Sequence, residues 1–312
     1  MKNTHTMKAI RIDRFGGPET LALQDVPRPT PAAGELLVRV QAAAINPIDW
    51  KLREGLFRDL KLPFTPGGDF CGTVEEVGPG VTTYEKGDSV FGVAQDSVGA
   101  DAEFLAVPQS NLSLKPVSLG PVEAASVPLA GMTAWQGLYV HGGLQGSQRV
   151  LILGASGGVG SFAVQLAKMT GARVIGTAST ENLARMRDLG CDEVIDYTKQ
   201  GFEGVAHGVE LCLDLVGGEF QRRAFKSVKR GGRLISTVQP PDDGLAREAG
   251  ITARFFRMKP DAAQLRELAV RIDAGDLKVA VAKILPLEEA AQAEELNRRQ
   301  KAEGKIVLQV CR

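Results

Sequence analysis

The chain has 312 residues, 44% apolar and 24% charged, which suits a globular protein of two domains and excludes a disordered or fibrous one. Thirty-seven basic residues balance thirty-seven acidic ones, so no net field recruits nucleic acid or an anionic membrane. No apolar run approaches the roughly 18–20 residues that span a bilayer, and residues 1–6 lack a signal-peptide core, so a cytoplasmic chain is expected.

Up to about residue 117, short strands divided by Gly and Pro turns are expected, at 7–10, 35–40, 72–77 and 88–93. Pro27, Pro29 and Pro31 make a stiff connector. From about residue 119 the period lengthens. A helix is expected over 122–139, then an apolar strand over 149–153, a glycine loop, a helix through Met169 and a strand over 172–177. Further strands are expected at 193–196, 209–215, 233–238 and 251–256. Helices alternate with them, and Phe220, Ala224, Phe225 and Val228 recur at helical spacing. Beyond Lys259, one helix face carries Leu265, Leu268, Ala269 and Ile272. A strand over 279–285, a helix over 287–300 and a strand over 305–310 close the chain. Apolar strands alternating with helices predict an α/β region, a parallel sheet covered on both faces. Cys71, Cys191, Cys212 and Cys311 lie far apart with no CxxC spacing, and read as buried free thiols of a reducing compartment.

The most informative segment is the loop Gly154-Ala155-Ser156-Gly157-Gly158-Val159-Gly160, which follows a buried strand and opens a helix. In that context a glycine loop binds a dinucleotide pyrophosphate at the helix N-terminus. Gly157 lets the backbone approach the phosphates and Gly160 lets helix and sheet pack closely. Ala155 stands where a strict GxGxxG has its first glycine. A tight turn serving packing alone is the competing reading.

About twenty residues beyond Gly160, at the end of the next strand, an NAD site usually has a carboxylate. Here the turn is Thr177-Ala178-Ser179-Thr180, and the next acid is Glu181. Hydroxyls there suit a 2′-phosphate, so NADP(H) is the expected cofactor, with Arg185 the nearest cation.

Several separated segments resemble the zinc-independent quinone oxidoreductase branch of the medium-chain dehydrogenase/reductases. They are Asn46-Pro47-Ile48-Asp49, Pro66-Gly67-Gly68-Asp69-Phe70-Cys71-Gly72, Ala130-Gly131-Met132-Thr133-Ala134, the glycine loop and Gly304-Lys305-Ile306-Val307-Leu308. The run from Asn46 to Lys51 is most similar to the enone and alkenal reductases of that branch. The resemblance implies a GroES-like catalytic domain from residues 1–118 and 259–312, and a Rossmann NADP-binding domain from 119–258. Cofactor and substrate would lie in the cleft between domains. It also implies a homodimer through the edge strand near 251–256, with a covered internal strand as the competing reading.

The same resemblance implies the site. Asn46, Gly68 and the Ala130-Gly131 pair stand where zinc-dependent relatives carry metal ligands, and His5, His141 and His207 lack ligand spacing, so no metal is expected. Without a Lewis acid, reduction of a quinone or of the C=C bond of an α,β-unsaturated carbonyl fits better than alcohol oxidation, because the anionic oxygen that forms needs only polar donors and a proton. Lys51 is implied at the cofactor ribose or the substrate oxygen, with Asn46 and Thr133 positioning the nicotinamide. A solvated lysine and turn or cap residues are the competing readings. Asp49 is expected to fix its loop rather than transfer a proton. Phe57 stands where enoyl-thioester reductases of the superfamily carry an acidic tyrosine, which leaves water as the proton donor. Tyr197 matches a position near the adenosine phosphate. Val216, Thr237 and Val238 lie at strand ends where α/β sheets bind ligands, and Phe255 and Lys301 match positions approaching the nicotinamide. A non-catalytic NADPH-binding protein, acting as a redox sensor or structural partner, is the alternative from another class.

Overall fold

The computed structural model describes residues 6–56, 60–299 and 304–311. The chain divides into two compact units. The first runs to Leu129 and takes back Pro260–Asp273 and the chain from Val279; the second holds Ala130–Lys259 and Ala274–Lys278.

The first unit is built on strands, as the short β-branched runs lead one to expect. A hairpin pairs β1 (Thr6–Ile12) with β2 (Leu21–Pro27). The main sheet is organised by β3 (Glu35–Ala44), whose nearly unbroken burial marks it as central. It pairs antiparallel with β4 (Asp69–Val77), which pairs with β5 (Ser89–Val93), and β3 also takes β6 (Phe104–Pro108). β7 (Leu112–Leu114) flanks β5. Ile10, Leu36, Val38, Val40, Phe70 and Val90 fill the core beneath it, each contributing about 1.5–3 kcal/mol of burial. One helix interrupts this region, α1 (Pro47–Arg53), with Pro47 at its first position, where a missing N–H costs nothing.

The helix expected over 122–139 is broken. α2 (Pro121–Ala125) stops, α3 (Pro128–Trp135) restarts at Pro128, and a π-helical turn carries Gln136–His141. Pro128 has no N–H to donate and its ring clashes with the preceding turn, so one continuous helix is excluded.

The second unit is a six-stranded, all-parallel sheet of β8 (Arg149–Leu153), β9 (Arg173–Ala178), β10 (Glu193–Asp196), β11 (Val209–Asp214), β12 (Val228–Ser236) and β13 (Thr252–Phe255). Its spatial order is β10-β9-β8-β11-β12-β13. Counted from β8 this is 3-2-1-4-5-6, the doubly wound Rossmann order, whose ligand crevice opens where the order reverses, between β8 and β11. The intervening helices are α4 (Gly158–Met169), α5 (Leu183–Asp188), α6 (Gly218–Ala224) and α7 (Asp243–Ala249). Val228, grouped above with Phe220, Ala224 and Phe225 on a helix, instead opens β12, because α6 ends at Ala224.

Chain from beyond Lys259 returns to the first unit as α8 (Ala262–Asp273), β14 (Val281–Pro286), α9 (Ala290–Arg298) and β15 (Lys305–Gln309). β15 pairs antiparallel with the end of β3, which brings Lys305 to the Asn46 end of that strand.

Candidate functional site

In the second unit, β8 ends at Leu153 and the chain turns through Gly154, whose φ of +77° only glycine adopts without strain. The tight turn therefore sits one residue before Ala155. Ala155 is fully buried, and its N–H is taken by the Thr177 carbonyl at 3.0 Å. Thr177, expected on the cofactor, is 1% exposed and holds the loop from behind, its hydroxyl accepting from Gly154 N–H at 3.0 Å. A Cβ on Gly160 would come within 2.3 Å of the Gly154 carbonyl oxygen and 2.6 Å of that of Ala155. Gly160 thus permits the close approach of helix and loop. Gly157 caps α4 with no side chain, so first-turn amides at Gly158 and Val159 have no intrahelical acceptor, beside the half-buried Ser156.

The neighbouring strand ends supply the rest of this edge. Asp214, fully buried at the end of β11, accepts from Val216 N, Gly217 N, Gln221 Nε2 and Ser236 Oγ at 2.8–3.1 Å. These bonds present Val216, 42% exposed, and the turn at Thr237 and Val238. Phe255 is half-buried at the end of β13. Beyond β9, Ser179 and Thr180 lie beside the chain leaving β10, where Tyr197 N–H donates to the Ala178 carbonyl at 3.2 Å. Tyr197 is 45% exposed, its ring edge-on to Phe220 with centroids 5.7 Å apart. Arg185 lies in the last turn of α5, where a cation complements the helix C-terminus. A further cation, Lys199, stands near Thr180. Lys199 Nζ stands 3.5 Å from Asp196 Oδ2, the atom that also accepts from Thr180 Oγ1. Sequence reading passed over Lys199 because it follows a short strand whose end only the parallel pairing sets beside β9.

In the first unit, Asn46 and Lys51 share α1 and its cap. Asn46 N–H donates to Asp49 Oδ2 at 2.6 Å, and Asp49 N–H returns to the Asn46 carbonyl at 3.0 Å. The Asn46 carboxamide donates to Ala44 O at 3.1 Å and to Asp69 Oδ2 at 2.9 Å, and accepts from the Lys305 ammonium. Lys305 also stands 3.2 Å from Asp69 Oδ2, and Asp69 Oδ1 accepts from Leu129 N at 2.7 Å. Lys305 entered the sequence reading only inside a family motif. Its signal was a charge heading the apolar run Ile306-Val307-Leu308.

Lys51 is half-buried, its ammonium 5.5 Å from the Trp50 ring centroid and without a hydrogen-bond acceptor among the described residues. Arg53 clamps α1 to α9 through Nε to Glu294 Oε2 at 2.5 Å, both side chains fully buried. Burial, opposed by Arg53, pushes Glu294 up to about 7. Burial and then the charge of Glu294 push Asp101 up to about 8. Asp49 fixes its loop as expected, and burial and the neighbouring Asp101 raise its pKa well above the usual aspartate value. Thr133, 5% exposed on α3, belongs to the second unit.

Lys301, Phe57 and His5 lie outside the described residues. Among the described residues, no group of three or more His, Cys, Asp or Glu side chains is placed to hold a metal ion. All four cysteines are free. Cys71, Cys191 and Cys212 are buried, whereas Cys311 is only half-buried, against the expectation for all four.

Residues 32–117 match the family model described as alcohol dehydrogenase GroES-like domain, and residues 189–308 the one described as zinc-binding dehydrogenase. The rat (Rattus norvegicus) quinone oxidoreductase is 33% identical, with 93% of each chain covered. A chloroplastic NADPH-dependent alkenal/one oxidoreductase of Arabidopsis thaliana is 36% identical over 75% of this chain; the chain spans 64% of that relative's length. Among solved structures, the quinone oxidoreductase from Coxiella burnetii superposes with a TM-score of 0.93 at 32% identity, covering 98% of this chain and 100% of its own.

Proposed function

The chain belongs to the quinone oxidoreductase branch of the medium-chain dehydrogenase/reductase superfamily, and from that membership we propose that it is an NADPH-dependent reductase of quinones or of the C=C bond of α,β-unsaturated carbonyls. The observation that carries this reading is the glycine loop at the reversal point of a 3-2-1-4-5-6 parallel sheet, with a twelve-residue helix opening on it. The residues fit a dinucleotide. Gly154 makes the turn, Gly160 brings the helix close, and the amides at Gly158 and Val159 meet the pyrophosphate. When bound, the cofactor supplies a hydride.

The remaining work falls to this chain's own groups. Both Nδ2 hydrogens of Asn46 are spent on Ala44 O and Asp69, so Asn46 shapes the wall of the site rather than donating to substrate. Lys51 has no hydrogen-bond acceptor for its ammonium among the described residues, and we assign it to the substrate oxygen or the cofactor ribose; Thr133, in the second unit, is assigned to the nicotinamide. The buried Lys305 ammonium supports a metal-free reading. It occupies the Asn46 and Asp69 oxygens and repels a second cation beside them. Proton delivery is assigned to water.

β13 ends the six-stranded sheet, which supports a homodimer through that edge. No helix among the described residues is long and apolar enough to cross a membrane, and we assign the chain to the cytoplasm.

NADPH oxidation across a panel of quinones, enones and enals tests the function. Turnover of at least one class is expected. Tight NADPH binding with silence on every member would favour the non-catalytic alternative.

A further inference from the structure

Discrimination between NADPH and NADH rests on groups at the end of β9, and both hydroxyls there are already committed. Ser179 Oγ donates to Glu181 Oε1 at 2.7 Å and accepts from Asn182 Nδ2 at 3.0 Å. Thr180 Oγ1 donates to Asp196 Oδ2 at 2.5 Å. A hydroxyl carries one hydrogen. The two protons that a 2′-phosphate would need are therefore held by carboxylates.

The two carboxylates differ. Asp196 is 6% exposed and also receives Thr198 N at 3.0 Å and Thr198 Oγ1 at 2.6 Å, with Lys199 alongside. It is part of the fabric of the strand end, and the hydroxyl of Thr180, then that of Thr198, hold its carboxyl down to about 2. Glu181 is exposed and accepts from the Ser179 hydroxyl. Its carboxylate reaches back two residues to the place where an NAD site keeps the acid that accepts from the ribose 2′-hydroxyl. A 2′-phosphate must displace it, and meets its charge.

We infer that Glu181 is a specificity-determining residue of the cofactor site. By holding the Ser179 proton and opposing the 2′-phosphate it narrows the margin for NADPH, and it keeps NADH admissible as a hydride source. Lys199 acts in the opposite sense, its ammonium offsetting Asp196 and drawing the phosphate. The inference rests on the cofactor reading given above and adds to it which residues set the choice.

Fluorescence titration of the full chain with NADPH and with NADH tests it, since binding is read without turnover. Glu181→Gln keeps an acceptor for Ser179 and removes the charge. It is expected to tighten NADPH about tenfold, the scale of one repulsion against a phosphate of nearly two charges at an exposed site, and to leave NADH within about twofold. Lys199→Gln is expected to weaken NADPH by a similar factor with NADH unmoved. Equal shifts for the two cofactors, or none in Glu181→Gln while the wild type binds NADPH, would overturn the inference alone. A wild type that binds neither cofactor would overturn the proposed function and this inference with it.

Discussion

Lys305 donates its ammonium N–H to the carboxamide oxygen of Asn46, joining two residues 259 positions apart, and the same nitrogen stands 3.2 Å from Asp69. The three side chains are nearly sealed from solvent, at 7%, 3% and 0% exposure. Burial raises the Asp69 pKa while the ammonium works against that rise. The contact sets which way the Asn46 amide faces and so how the loop enters α1, the helix that carries Lys51. A buried ion pair of this kind stays in place because removing either charge strands the other.

Lys305→Met should therefore destabilise the fold by about 3–5 kcal/mol, read as a lowered urea midpoint. Lys305→Arg, which keeps the charge, should recover part of the loss. A Met variant as stable as the wild type would show that the pair contributes nothing.

Arg53 and Glu294 form a second sealed pair, Nε to Oε2 at 2.5 Å, tying α1 to α9. Arg53→Met alone is expected to cost about 3–5 kcal/mol, and the double variant Arg53→Met/Glu294→Met distinctly less than the sum of the two single changes. Four denaturation curves complete the cycle, and strict additivity would contradict direct coupling.

Asp101 is fully buried, with neither carboxyl oxygen hydrogen-bonded among the described residues, and burial and Glu294 push it up to about 8 from an ordinary 3.8. The folded chain thus keeps a proton that the unfolded chain releases between those values. Stability from the neutral acid is fully present below about pH 4 and is lost as the pH rises through about 8. Urea midpoints taken between pH 5 and 8 should fall with pH in the wild type and fall less steeply in Asp101→Asn, where the raised Glu294 and Asp49 still contribute. An identical slope in both would assign the effect elsewhere.

Gly160→Ala places a methyl 2.3 Å from one carbonyl oxygen and 2.6 Å from another, neither of which can move without opening the loop. NADPH affinity should fall by about tenfold or more, with overpacking costing about 1–3 kcal/mol of stability. Gly157→Ala meets only one atom, at 3.4 Å, and should leave stability nearly unchanged. Cofactor titration beside thermal unfolding of both variants separates the two contributions.

Much of the molecule was legible before its coordinates. Apolar strands such as 149–153 and the change of period near residue 119 announced the parallel sheet, because side-chain periodicity and Gly/Pro chemistry are local properties of the chain. The break at Pro128 and the strand beginning at Val228 were harder to read. There a single proline or a helix end overrides the average pattern of a window, and strand pairing decides the rest.

The candidate residues divide along the same line. Residue order alone determined the glycine loop, since one short segment holds its whole geometry, whereas Asn46 and Lys51 came only from the family resemblance of a contiguous motif. Tertiary structure alone decided that Lys305 and Asp69 close around Asn46, that the buried Thr177 hydroxyl braces the loop, and that Ser179 and Thr180 spend their protons on Glu181 and Asp196. Hydrogen bonds are short and directional, so a hydroxyl's partner depends on ångström-scale placement of groups that sheet pairing brings together. Spacing along the chain carries no record of that placement.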